Sequence, residues 1–150
     1  MKKIIYTRPD GGLSVVHPVL NTLGEEDGFT EEQAFDRALD KIPTDASNVR
    51  IVDESDIPTN RTFRNAWVDT GNSVTHDITK CREIHKSRLR DWRAPKLLAL
   101  DIAYQRADEA GDGAQKKQIA NEKQLLRDIT KNPSIASANT VEELCALEAK

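Results

Sequence analysis

The chain has 150 residues, 37% hydrophobic and 31% charged, with a formal net charge of −3. That is roughly one domain of globular rather than disordered composition, and with 5% aromatic residues the core is expected to be modest, a compact N-terminal unit and an elongated helical one. No apolar run approaches the ~18 residues of a membrane span, and the start from Met1 to Pro9 breaks too soon for a signal peptide, so a soluble protein made in a cytoplasm is expected.

Lys2 to Thr7 reads as a short strand, Pro9-Asp10-Gly11-Gly12 as a turn, and Leu13 to His17 as the return strand of a hairpin. Leu20 to Gly28 reads as loop. Thr30 and Gln33 make a capping box for a helix that carries Ala34, Phe35, Ala38 and Leu39 on one side and ends at Ile42-Pro43. Val49 to Val52 is the next strand, Asp56-Ile57-Pro58 breaks the chain, and Thr62 to Ala66 reads as a helical turn. Trp67-Val68 and Ser73-Val74-Thr75, joined through Asp69-Thr70-Gly71-Asn72, form a second hairpin. Residues 1–76 are thus expected to be a small α+β unit.

Residues 77–150 carry helical periodicity. Asp77 is a good N-cap for a helix running to about Gly111. Ile78, Cys81, Ile84, His85, Leu89 and Trp92 form a narrow apolar stripe in its first half. Leu97, Leu98, Leu100, Ile102, Ala103, Tyr104 and Ala107 cover a wider arc, which makes the second half the expected better-buried one. Pro95 divides the halves and predicts a kink. A second helix, Ala114 to Lys131, bears Ile119, Leu125, Leu126 and Ile129, and the glycine turn between the two makes them antiparallel. Symmetry about Asp112 then places Leu126 near Leu98 and Ile129 near Pro95, with Leu98, Leu126 and Ile129 as the expected hairpin core. Residues 77–94 must project beyond the shorter helix, and their stripe needs cover from the N-terminal unit, a second copy or a partner. Thr140 and Glu143 cap a last short helix with Val141, Leu144, Cys145 and Leu147.

The net charge hides an asymmetry. Residues 1–60 hold six basic and twelve acidic side chains, whereas residues 80–96 hold seven basic (Lys80, Arg82, Lys86, Arg88, Arg90, Arg93, Lys96) against Glu83 and Asp91. Such a stripe could follow a phosphate backbone, but the acidic total and the lack of a nucleic-acid module favour acidic protein surfaces as partners.

No catalytic constellation stands out. Cys81 and His85 are four apart on a helix face, and with His76 they are metal-ligand types, yet Cys145 would have to arrive from far away as a fourth ligand. Cys81 reads as core and the histidines as boundary residues. The same Cys–His pair lacks oxyanion donors for nucleophilic work. Neither a metal nor another cofactor is expected, and both cysteines should be free thiols.

The order Arg88-x-x-x-Trp92-Arg93-x-x-x-Leu97-Leu98, then Leu100-Asp101, a polar turn, and Lys123-Gln124-Leu125-Leu126-Arg127-Asp128-Ile129-Thr130 before Pro133 resembles the helical hairpin of phage tail assembly chaperone and tail-fibre assembly proteins. The chain departs from that pattern at Ile102, where the family usually has tryptophan. The resemblance implies a non-enzymatic phage structural or assembly protein that binds a tail or tail-fibre polypeptide, in the host cytoplasm during assembly and with the virion as a further location, homo-oligomers being another option. The half-helix supplies the candidate partner-binding residues Ile84, Arg88, Leu89, Trp92 and Arg93, because tryptophan and arginine carry binding energy more often than most residues. The alternative is a small regulatory protein that binds nucleic acid through residues 80–96.

Overall fold

The computed structural model describes residues 1–19 and 30–147, so the expected loop from Leu20 to Gly28 lies outside the described residues. The fold is α+β, divided into units Met1–Asp77 and Ile78–Lys150.

In the first unit, β1 (Lys2–Thr7), β2 (Leu13–Val16) and β3 (Ser47–Asp53) form an antiparallel sheet in the order β2-β1-β3. Ile4 and Ile5 point to opposite faces and both are fully buried, as a central strand covered on both sides requires. The turn from β1 to β2 depends on Gly11, whose φ of 76° is easily reached only without a Cβ, and on the Asp10 carboxylate, which accepts the Gly12 N–H at 2.7 Å. β3 is longer than expected from Val49–Val52 because it starts with a bulge. The pairing slips by one residue opposite Ile5 and Thr7, and Asn48 takes a left-handed φ of 52°, which asparagine tolerates better than most residues.

β4 (Trp67–Asp69) and β5 (Val74–His76) form the second hairpin. Trp67 and Val74 join Ile5, Leu13 and Val52 in one core, with Val15 and Ile57 packed against it. The expected turn near Thr62 is a short 3₁₀ helix at Arg64–Ala66, preceded by the buried Phe63. Helix α1 (Glu31–Leu39) carries the expected capping box, Thr30 Oγ1 accepting the Gln33 N–H at 3.3 Å and Gln33 Oε1 accepting the Thr30 N–H at 3.0 Å. Ala34 is its buried residue, whereas Leu39 at its end is exposed.

Arg50 of β3 donates Nε to Asp69 Oδ2 of β4 at 2.9 Å, with a second guanidinium bond to Oδ1. Asp69 is the more enclosed partner, at 7% side-chain exposure against 28% for Arg50. The hydrogen bond from Arg50 is the main cause that holds the Asp69 carboxyl below its ordinary range, with help from the Gly71 N–H and the Arg50 charge and against the effect of burial. A carboxyl depressed in the folded state stabilises fully above its unfolded pKa, about 3.9, and that stability is lost as pH falls through the lower folded value. Asp69→Asn is therefore expected to cost roughly 2 kcal/mol at pH 7 and to flatten the acid limb of unit stability below about pH 4. Urea unfolding followed by Trp67 fluorescence, in a Trp92→Phe background, measures both.

The second unit is built on α2 (Ile78–Glu109), one unbroken helix of 32 residues with Pro95 inside it. It ends in a Schellman motif. Asp112 N–H donates to the Ala107 carbonyl at 2.9 Å and Gly111 N–H to that of Asp108 at 3.0 Å, with Gly111 at φ 68°. Asp112 then caps α3 (Gly113–Asp128), accepting the Gln115 N–H at 2.9 Å, so the reversal uses only a few residues and the helices run antiparallel. Lys116 pairs with Asp108 and Lys123 with Asp101, each pair equidistant from Asp112, as the expected symmetry requires.

The burial along this hairpin differs from expectation. Leu98 is 63% exposed and is not a core residue, while Leu126 and Ile129 are half-buried. One helix packed on another covers a stripe about as wide as a three-four seam. Leu97, Leu100, Tyr104 and Ala107 occupy that seam with Ile119, so Leu98 and Ile102, displaced round the helix, fall on its flank. The first half of α2 is the better buried one. Cys81, His85 and Leu89 are all enclosed there, so His85 is core and not boundary.

After a 3₁₀ turn at Ile129–Lys131, Asn132 caps the short α4 (Pro133–Ser137), and Thr140 caps α5 (Val141–Ala146) by accepting the Glu143 N–H at 3.1 Å. α5 packs on α2. The chain's own C-terminal segment thus supplies cover for the stripe that the shorter helix cannot reach, a source outside the three named from the sequence. Ile135, Ala138, Val141 and Leu144 are its buried residues.

Candidate partner-binding surface

The five candidate residues of the half-helix do not form one open face. Leu89 is 4% exposed and part of the core of its unit. Ile84 and Trp92 are half-buried, with Lys96 Nζ 4.6 Å from the centre of the Trp92 indole, a cation–π pair on the surface. Arg93 is turned to the end of α3, where Nη1 donates to the carbonyls of Leu126 at 3.2 Å and Arg127 at 2.6 Å. Those are last-turn carbonyls with no intrahelical donor, so the guanidinium acts as a side-chain cap at the negative end of the helix. Arg88 is exposed.

Arg82 has the same kind of use. Its Nε and Nη2 donate to the Ala138 carbonyl at 3.0 and 2.8 Å, which ties the link before α5 to α2. Arg82 and Arg93, both cations of the basic stretch, therefore bind backbone of their own unit. Lys86 reaches Glu83 at 2.8 Å, one turn away, and holds the Glu83 carboxyl below its usual range. The exposed cations of the stripe are Lys80, Arg88, Arg90 and Lys96.

The apolar surface left in water lies on the outer half of the hairpin. Leu125 is 74% exposed, Leu98 63% and Ile102 45%. Beside them Ala99, Leu100, Leu125 and Leu126 line an open groove of about 470 Å³ with Lys96 and Glu122 at its edges. The sequence holds a signal for this surface, the arc of α2 being wider than one neighbouring helix can cover, but the same width is equally compatible with deeper burial.

The chemical candidates separate. His76 accepts the Trp67 indole N–H at Nε2, 3.0 Å away, with the rings edge to face. Cys81 and Cys145 are both free thiols, the first buried and the second half-buried. Among the described residues no group of three or more His, Cys, Asp or Glu side chains converges to hold a metal ion, and no helix is long and apolar enough to cross a membrane. Comparison with protein-family models, curated proteins and solved structures finds no match to this chain.

Proposed function

We propose that the chain is a non-enzymatic phage structural or assembly protein that holds a tail or tail-fibre polypeptide on its helical hairpin, in the host cytoplasm during assembly and with the virion as a further location. The observation that carries it is the exposed apolar groove of the outer hairpin, lined by Leu100, Leu125 and Leu126 and flanked by Leu98 and Ile102. Two antiparallel helices with an apolar cleft between their outer flanks present the seat for a third, amphipathic helix. Lys96 at the edge, with Arg88 and Arg90 on the preceding turns, suits an acidic polar face on that helix. The order of arginine, leucine and aspartate residues along the hairpin, which resembles the tail assembly chaperones, supports the same reading.

Co-purification of the tagged chain from infected cells, with mass spectrometry of the polypeptides it retains, tests it. A tail or tail-fibre polypeptide is expected, retained when salt is raised and lost from a Leu98→Glu, Leu125→Glu variant that still folds, because both side chains are already in water. The expected loss of affinity for that double variant is at least about 100-fold, on the scale of two apolar anchors. Recovery of nucleic acid with steep salt dependence would replace this reading by the basic-stripe alternative.

A further inference from the structure

The N-terminal unit holds a hollow of about 240 Å³ that the hairpin reading does not use. Its wall is apolar, with Trp67, Ile57, Pro58 and Val15, and its polar groups come from Lys3, His17, Glu54 and Arg61. They arise on separate parts of the chain. Lys3 lies on β1 on the same face as Ile5 and opposite Val52, His17 follows β2, Glu54 follows β3, and Arg61 stands in the link to β4.

Lys3 is the unusual member. A lysine is rarely enclosed, yet its side chain is only 6% exposed. Its ammonium donates to the Met1 thioether at 3.2 Å, a weak acceptor, and its nearest carboxylate oxygen, on Glu54, is 3.8 Å away, longer than a hydrogen bond. Among the described partners, that leaves an enclosed cation poorly compensated beside a hollow. Arg61 is exposed at the rim, so it can close on a guest without leaving water first. With His17 neutral, Lys3, Arg61 and Glu54 give the lining a single net positive charge.

We propose that this hollow binds a small organic monocarboxylate with an apolar body. The carboxylate answers the one excess positive charge, sitting on the Lys3 ammonium and within the fork of Arg61, while the body lies against Trp67 and Ile57. A volume of about 240 Å³ exceeds the ~150 Å³ of an apolar cavity that takes benzene, which leaves room for a body about the size of a phenyl ring plus its acid group. Bare phosphate would use the charge and leave the apolar wall wet.

His17 gives the site a pH dependence. Its pKa is lowered by partial withdrawal from water and by the charges of Lys3, Arg61 and Arg64, with Glu54 acting the other way. A bound carboxylate opposes those cations and raises that pKa, so the complex takes up a proton and binding tightens as pH falls toward the lowered titration range of free His17, above the range where a simple carboxylate is itself protonated.

The test is a titration of the full chain with phenylacetate, read at the Trp67 indole N–H by ¹⁵N NMR, with phenylacetamide and inorganic phosphate as comparison probes. Saturable shifts are expected below about 10 mM phenylacetate, with the amide and phosphate at least about tenfold weaker. Arg61→Gln should weaken phenylacetate by about fivefold or more, as loss of a bidentate partner, and Lys3→Met by more. Should Lys3→Met fail to fold, Arg61→Gln still decides, since that side chain is exposed. His17→Gln should bind phenylacetate with the tightening at low pH removed. Equal binding of the amide, equal binding of phosphate, an unaffected Arg61→Gln variant or no saturable shift would each overturn the proposal.

Discussion

Replacing Leu144 by alanine is expected to destabilise the helical unit by roughly 2–5 kcal/mol, the range of a fully buried leucine cut to a methyl. Leu144 has no exposed surface and stands on α5, the short helix that packs on α2. The loss has two parts, the apolar atoms returned to water and the hollow left where they were. A helix of six residues, Val141–Ala146, has little stability of its own, so once its anchor is cut it has no reason to stay on α2, and Cys81, His85 and Leu89 lose cover with it. Leu98→Ala is the contrast. That side chain is 63% exposed, so the change should cost less than about 0.5 kcal/mol. Guanidinium unfolding of the two variants, followed by far-ultraviolet circular dichroism, separates them. Equal losses would mean that the outer flank of α2, and not the C-terminal helix, carries the stability of this unit.

The second large effect is expected at Trp67. Trp67→Ala should cost about 3–5 kcal/mol, since the indole is 2% exposed and joins the three-stranded sheet to the β4–β5 hairpin in one core with Ile5, Leu13, Val52 and Val74. Trp67→Phe is the informative companion. It keeps most of the apolar contact and removes the donor to His76 Nε2 at 3.0 Å, so a smaller loss, about 1–2 kcal/mol, isolates that bond together with the volume difference. His76→Phe should then strand the indole N–H and cost about as much as Trp67→Phe. Thermal unfolding of the three variants measures this, and a His76→Phe variant as stable as the parent would show that the indole bond contributes nothing.

What the sequence by itself determined is the local part of this protein, since caps and turns depend on residues a few positions apart. Thr30 with Gln33, Asp112 with Gln115 and Thr140 with Glu143 each form the bond that their spacing allows. Gly11 and Gly111 take the positive φ that their turns need, and the symmetry of α2 and α3 about Asp112 comes from so short a reversal. Tertiary structure alone decided which apolar surface is covered. The periodicity of α2 marks Leu97 and Leu98 alike as apolar, but the side chains of α3 fill one seam, and the helix phase puts Leu98 outside it. The narrow stripe of Cys81, His85 and Leu89, which no neighbouring stretch of sequence can cover, is enclosed because a segment more than fifty residues downstream returns to α2, with the Arg82 guanidinium on the Ala138 carbonyl. Arg82 and Arg93, whose spacing predicts a binding surface, act as caps for backbone carbonyls, since a planar cation near a helix end meets those acceptors before any partner does. The hollow of Lys3, His17 and Arg61 was illegible for the same reason. Its members are far apart in the chain, and only the pairing of β1 with β2 and β3, together with the placing of Trp67, brings their charges to one side of an apolar wall.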